Sequence, residues 1–159
     1  ETISPSMDIQ IASNFERLIF DLNNQSDKKT VEVMKSIKEE GKYEIQTELL
    51  DKINVDFLSS RMDENEVLNT IKAVYEKFNK VLDPHSAIGF GAFDKVNLKG
   101  NNIVLATAHP CKFPDAIEKA INLKAELPNE LAFVLDEKEN YDIIENNLAK
   151  IKQHIKERI

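Results

Sequence analysis

A single cysteine, Cys111, stands in the 159-residue sequence. One thiol closes no intrachain disulfide and builds no cysteine-rich zinc site, which fits a reducing compartment, with the cytoplasm as the default. Long apolar runs are missing as well. None approaches the roughly 20 residues needed to span a bilayer, and the opening Glu1-Thr2-Ile3-Ser4-Pro5 has neither the basic nor the apolar stretch of a secretory leader. A secreted or membrane chain is therefore not expected. Positive charge is in deficit: 21 Lys and Arg against 28 Asp and Glu leave a net charge of −7. Pairs such as Lys28-Lys29 are too small to restore the field that draws proteins to phosphate backbones, so nucleic acid is a poor partner. What is present, 42% hydrophobic and 31% charged residues, is enough to bury a core and too apolar for a disordered chain. The length suits one domain. The sequence starts without Met, in a segment that reads as the end of a buried strand, and is expected to be a piece of a longer protein.

Helical signals dominate. Ser13 and Glu16 match a capping box ahead of Phe15, Leu18, Ile19 and Leu22 at helical spacing. Val31, Met34 and Ile37 make a second amphipathic helix, closed by Gly41. Tyr43 to Ile53 reads as a short helix or irregular insert, and Val55 to Ser60 as a short strand or connector. Asp63 and Glu66 form another capping pair before the stripe Val67, Leu68, Ile71, Val74, Tyr75 and Phe78. Asp83-Pro84 opens a helix through about Val96, in which Gly89 and Gly91 point to a close backbone approach. After a turn at Gly100, Ile103-Val104-Leu105-Ala106 has the continuous apolar character of a strand buried on both faces. Thr107 to Lys112 then leads into a helix from about Pro114, which Pro128 ends, and a last amphipathic helix is expected over Tyr141 to Ile159. Ligands of open α/β sheets sit beyond strand carboxyl ends, so the Thr107 segment is the first place to look for chemistry.

Common site patterns are missing. His85, His109 and His154 lack metal-ligand spacing, no H-E-x-x-H or H-x-E…C-x-x-C run exists, and no metal site is expected. No G-x-S-x-G elbow is present. Cys111 reads as a small packing residue. Four segments stand out instead: Ser4-Pro5-Ser6-Met7-Asp8, Ser13 to Leu18, Asp83-Pro84-His85-Ser86-Ala87, and Ala106-Thr107-Ala108-His109-Pro110. Taken singly, each has a plain structural reading as loop bonds, helix caps or an ion-pair partner.

Taken together and in this order, S-P-S-M-D-I, S-N-F-E-R-L, D-P-H-S-A and A-T-A-H-P-C-K-F-P resemble the C-terminal portion of the pyridoxal-phosphate-dependent threonine synthases of bacteria and fungi. The resemblance runs through the whole chain, weakest between Asn23 and Val55, with Ser86 in place of the usual Thr and Cys111 in place of Ala. It implies an α/β, predominantly helical piece of a fold-type II enzyme, a lyase of threonine biosynthesis. Residues 1–159 would then hold part of the large cofactor domain and a C-terminal helical extension. Such enzymes convert O-phospho-L-homoserine and water to L-threonine and phosphate with pyridoxal 5'-phosphate as electron sink.

The resemblance puts Thr107 against the pyridine nitrogen, where a neutral hydroxyl bonds the ring without a full counter-charge. Ser6, Asn14, Arg17 and Lys112 are implied substrate-binding candidates, Arg17 first for its planar fork, with Asp8 and His85 orienting them. No lysine matches the Schiff-base motif, and Gly89-Phe90-Gly91 does not match the phosphate loop. The chain is thus expected to be inactive alone, to need the missing N-terminal part of the same protein, and to expose apolar surface through which it can self-associate. No allosteric domain is recognisable. The alternative is a non-catalytic binding or scaffold module that keeps the fold without the cofactor.

Overall fold

Asp63 and Glu66 begin the longest helix by satisfying each other's backbone: Glu66 N–H donates to Asp63 Oδ1 at 2.9 Å, and Asp63 N–H to Glu66 Oε2 at 2.8 Å. In the computed structural model, which describes residues 1–159, this is α4 (Glu64–Phe78) among seven α-helices. The others are α1 (Ser13–Leu22), α2 (Asp27–Glu40), α3 (Thr47–Asp56), α5 (Pro84–Val96), α6 (Pro114–Ile121) and α7 (Leu148–Lys156). Short 3-10 turns cover Pro5–Met7, Pro110–Lys112 and Asn129–Leu135. The chain divides into two compact units, residues 1–126 and 127–159.

Within the first unit two cores form. The stripe on α4 buries Val67, Ile71 and Val74. Val67 and Ile71 meet Ala87 of α5 and Ile117 of α6 in one cluster, as expected where α4 packs on both helices. Phe78, expected in the stripe, is half exposed, with the Lys77 ammonium 5.1 Å from its ring centre. Gly91 allows the α4–α5 approach: a Cβ there would lie 3.1 Å from Thr70 Oγ1 and closer still to the end of Met62. The second cluster takes one residue from each of α1, α2 and α3: Ile19, Val33 and Leu49. Gly41 (φ +72°) closes α2, whereas Asn79, Asn97 and Asn122, all at positive φ, close α4, α5 and α6.

Several expectations are corrected. Ser13 caps nothing: the extended Ala12 is the N-cap of α1 and Ser13 is its first helical residue, one position too late for its hydroxyl to serve the N3 amide. The Tyr43–Ile53 region becomes α3, which runs on through Asp56, and Phe57 to Asp63 has no regular structure. Ile103–Ala106 does not form a strand. It makes no backbone ladder, and Ile103 and Leu105 are 88% and 74% exposed. The apolar run has strand composition, but a strand needs a neighbour, and none of the described residues supplies one. In the second unit the last helix begins at Leu148 and not Tyr141. Asn147 accepts from the Ala149 and Lys150 amides, a local cap that stops the helix extending backwards. Asp142 instead takes Arg158 at 2.7 Å.

Lys95, in the last turn of α5, donates to Glu66 Oε1 at 2.6 Å and to the Arg61 carbonyl at 2.8 Å. The Lys95 ammonium, and after it the Asp63 amide, hold the Glu66 carboxyl below its ordinary value of 4.5. A carboxylate with a lowered folded-state pKa stabilises the fold above its unfolded value and loses that contribution as pH falls through the folded one. Urea midpoints of the wild type and Glu66→Gln are therefore expected to differ at neutral pH and to converge below about pH 4.5. A pH-independent gap would contradict this.

Candidate functional site

The start of α5 gathers three of the five buried polar residues of the chain. Pro84 at the first helical position leaves Asp83 as N-cap, with Oδ1 accepting from the His85 amide at 2.9 Å and the Ser86 amide at 3.4 Å. The same carboxylate faces His85 Nδ1 at 3.1 Å and accepts the Ser86 hydroxyl. Asp83 is 1% exposed, His85 6% and Ser86 2%.

Two loops attach here. The Thr107 amide donates to Ser86 Oγ at 3.0 Å, and the Ser6 amide to His85 Nε2 at 3.1 Å. The His85 ring also lies against Phe113, with centroids 4.8 Å apart. Ser4, beside this attachment, is buried with its hydroxyl unpartnered.

His85 and Thr107 border an open, mainly apolar cleft of about 760 Å³, with Met7, Phe57, Gly89 and Phe93 among its walls. No lysine or arginine lines it. Thr107 is exposed and its hydroxyl makes no hydrogen bond within the chain.

Of the sequence candidates, Ser6, His85 and Thr107 are brought into one bonded network. The rest are not. Asn14 and Arg17 pair with each other on the exposed side of α1. Lys112 is exposed in the 3-10 turn that His109 caps by accepting the Cys111 amide at 3.2 Å. Neither Arg17 nor Lys112 has an acidic partner. Asp8 bonds Thr2 instead, taking its amide at 2.7 Å and its hydroxyl at 3.0 Å. That amide is the main reason its carboxyl lies below the ordinary value. Sequence reasoning read Asp83 and Ser86 only as part of a motif and a cap; their burial, which links the two loops, is a property of the packed fold.

Residues 86–155 match the family model for the C-terminal part of threonine synthase. Threonine synthase of Pseudomonas aeruginosa is 36% identical over 157 residues, covering 97% of this chain and 34% of that protein. The Saccharomyces cerevisiae enzyme is 34% identical over 184 residues, covering 99% and 36%. The crystal structure of pyridoxal-phosphate-bound threonine synthase from Brucella melitensis superposes with a TM-score of 0.77 at 36% identity, covering 99% of this chain and 34% of that one.

The chain belongs to the threonine synthase family. It spans about a third of the length of the relatives it matches. The helical fold is accordingly that of a portion of threonine synthase.

The cofactor bound in the Brucella melitensis structure can be tested against the residues present here. The unpartnered Thr107 hydroxyl, at the edge of a cleft free of cations, suits a neutral ring nitrogen, because a hydroxyl can donate its proton to the nitrogen lone pair. The residues fit the group at this one point, and the cleft lacks the lysine that would hold it covalently.

Proposed function

We propose that this chain works as the C-terminal part of a pyridoxal-phosphate-dependent threonine synthase, a cytoplasmic lyase converting O-phospho-L-homoserine and water to L-threonine and phosphate. The observation that carries this reading is a free Thr107 hydroxyl on the cleft, in a chain aligned almost end to end with threonine synthases. When bound, pyridoxal phosphate supplies the electron sink. The part of the protein upstream of these residues supplies the anchoring lysine and phosphate loop, so residues 1–159 alone are inactive. They contribute part of the large cofactor domain and the helical extension.

In this reading the Thr107 hydroxyl bonds the ring nitrogen and, carrying no charge, leaves it unprotonated. Arg17 presents its fork to the substrate phosphate and stabilises the charge that grows as phosphate departs. Ser6, Asn14 and Lys112 add donors to the same anion, with Asn14 setting the Arg17 side chain. His85 orients the Ser6 loop through its amide, and Asp8 holds that loop closed on Thr2. The exposed apolar wall at Ile103, Leu105 and Phe57 supports self-association of the isolated chain.

The test uses the full-length gene product. It is expected to be yellow with bound cofactor, and Thr107→Val to shift the visible band and lower kcat about tenfold, the value of one lost hydrogen bond. Thr107→Ser should restore both. A colourless full-length protein, or a Thr107→Val variant with unchanged spectrum and kcat, would overturn the reading in favour of a binding module.

A further inference from the structure

We infer that Asp83 and Ser86 are positioning residues, one buried carboxylate setting the backbone of both Thr107 and Ser6. The inference rests on the reading of Thr107 as cofactor-facing and Ser6 as substrate-facing. Its physical basis is the direction of each bond.

A backbone N–H can only donate. His85 Nε2, which receives the Ser6 amide, must therefore carry no proton, and the ring proton of neutral His85 sits on Nδ1, directed at Asp83 Oδ1. The Ser86 hydroxyl has a single proton and gives it to Asp83 Oδ2, so toward Thr107 it can only accept, as the Thr107 amide requires. Two branches thus run from two loops into the two oxygens of one carboxylate. Exchanging the carboxylate for a group with a single acceptor oxygen leaves one branch without its end.

Helix capping alone does not account for Asp83. Ser or Asn caps about as well as Asp, and burying a carboxylate without a cation is costly unless its lone pairs are filled. Asp83 has no Lys or Arg partner. Its oxygens are filled by two helix amides and by the very side chains that hold the loops. The exposed cap Asp63, by contrast, receives only the Glu66 amide.

The test reads ¹⁵N resonances of the 159-residue chain without cofactor. Wild-type His85, at a pH where the ring is neutral, should show a protonated Nδ1 and an unprotonated Nε2. Ser86→Ala should move the Thr107 amide proton upfield and speed its exchange with solvent about tenfold, the value of one hydrogen bond, with the His85 tautomer unchanged. Asp83→Asn, whose amide nitrogen cannot accept the Ser86 proton, should move the same amide, and Ser86→Thr should keep its wild-type shift. In the full-length gene product Ser86→Ala should displace the cofactor band and Ser86→Thr restore it. A His85 ring protonated on Nε2, or a Thr107 amide indifferent to Ser86→Ala, would overturn the inference. The tautomer is read on the wild type, so a variant that fails to fold does not remove the test. Because these resonances involve no cofactor, that result would leave the role of Thr107 standing, whereas a colourless full-length protein would remove that role and leave the bonds intact.

Discussion

Ile71→Ala is expected to lower the unfolding free energy by about 2–5 kcal/mol, the range for truncating a fully buried aliphatic side chain. Ile71 is wholly inaccessible at the centre of the α4–α5–α6 cluster, where Val67, Ala87 and Ile117 leave little room for collapse into the cavity. Against a domain's usual margin of about 5–15 kcal/mol this is a large loss. Ile19→Ala, equally buried, should cost a similar amount but in a different place. The extensive helix packing lies within α1–α3 or within α4–α6. Hydrogen exchange should therefore show Ile19→Ala opening the amides of α1, α2 and α3 while α4, α5 and α6 stay protected. Equal loss of protection across all six helices would refute two separable cores. The distinction matters for the site, since Ser6, His85 and Thr107 are tied to α5 and Arg17 to α1.

The second large effect concerns that arginine. In the full-length gene product Arg17→Ala is expected to reduce kcat/KM for O-phospho-L-homoserine about 10²–10³-fold, as removing one preorganised donor to developing charge does. Arg17→Lys should recover only part of this, because an ammonium keeps the charge and loses the planar fork. The spectrum of bound cofactor should be unaffected by either change, since no bond joins Arg17 to the network reaching Thr107. Unchanged KM and kcat in Arg17→Ala would eliminate the proposed role. A spectral shift would instead mean that α1 and the cofactor cleft are coupled.

Much of this arrangement is legible in the sequence where a local rule decides it. Asp63 with Glu66, Asp83 with Pro84, and Gly41 behind an amphipathic stripe each specify a helix end through contacts within four residues, and each is found where expected. Ser13 fails because the same S-x-x-E spacing fits a helix that starts one residue earlier. Ile103–Ala106 fails for a non-local reason. Strand formation is decided by a partner, and apolar composition cannot say whether one is present.

The site divides in the same way. Thr107, Ser6 and His85 are recognisable as residues of chemical interest, and the structure joins them. The joint itself is not readable, because Asp63 and Asp83 look alike as caps. What separates them is that the packed fold buries the second, 1% exposed, and leaves the first in solvent. Burial turns the same side chain from a helix signal into the hub of a network.

The three asparagines that end α4, α5 and α6 bear on the unfolded chain as well as the folded one. With only four glycines in 159 residues, left-handed turns that glycine commonly makes fall to Asn79, Asn97 and Asn122. Each such choice trims the conformations open to the denatured ensemble, worth about 0.4–1 kcal/mol per position relative to glycine. It also accepts a comparable strain, about 1–2 kcal/mol for an ordinary side chain and less for asparagine. The balance leaves net stability nearly untouched while narrowing the search that folding must make, so the helix ends of this chain are set partly by what its unfolded state is unable to do.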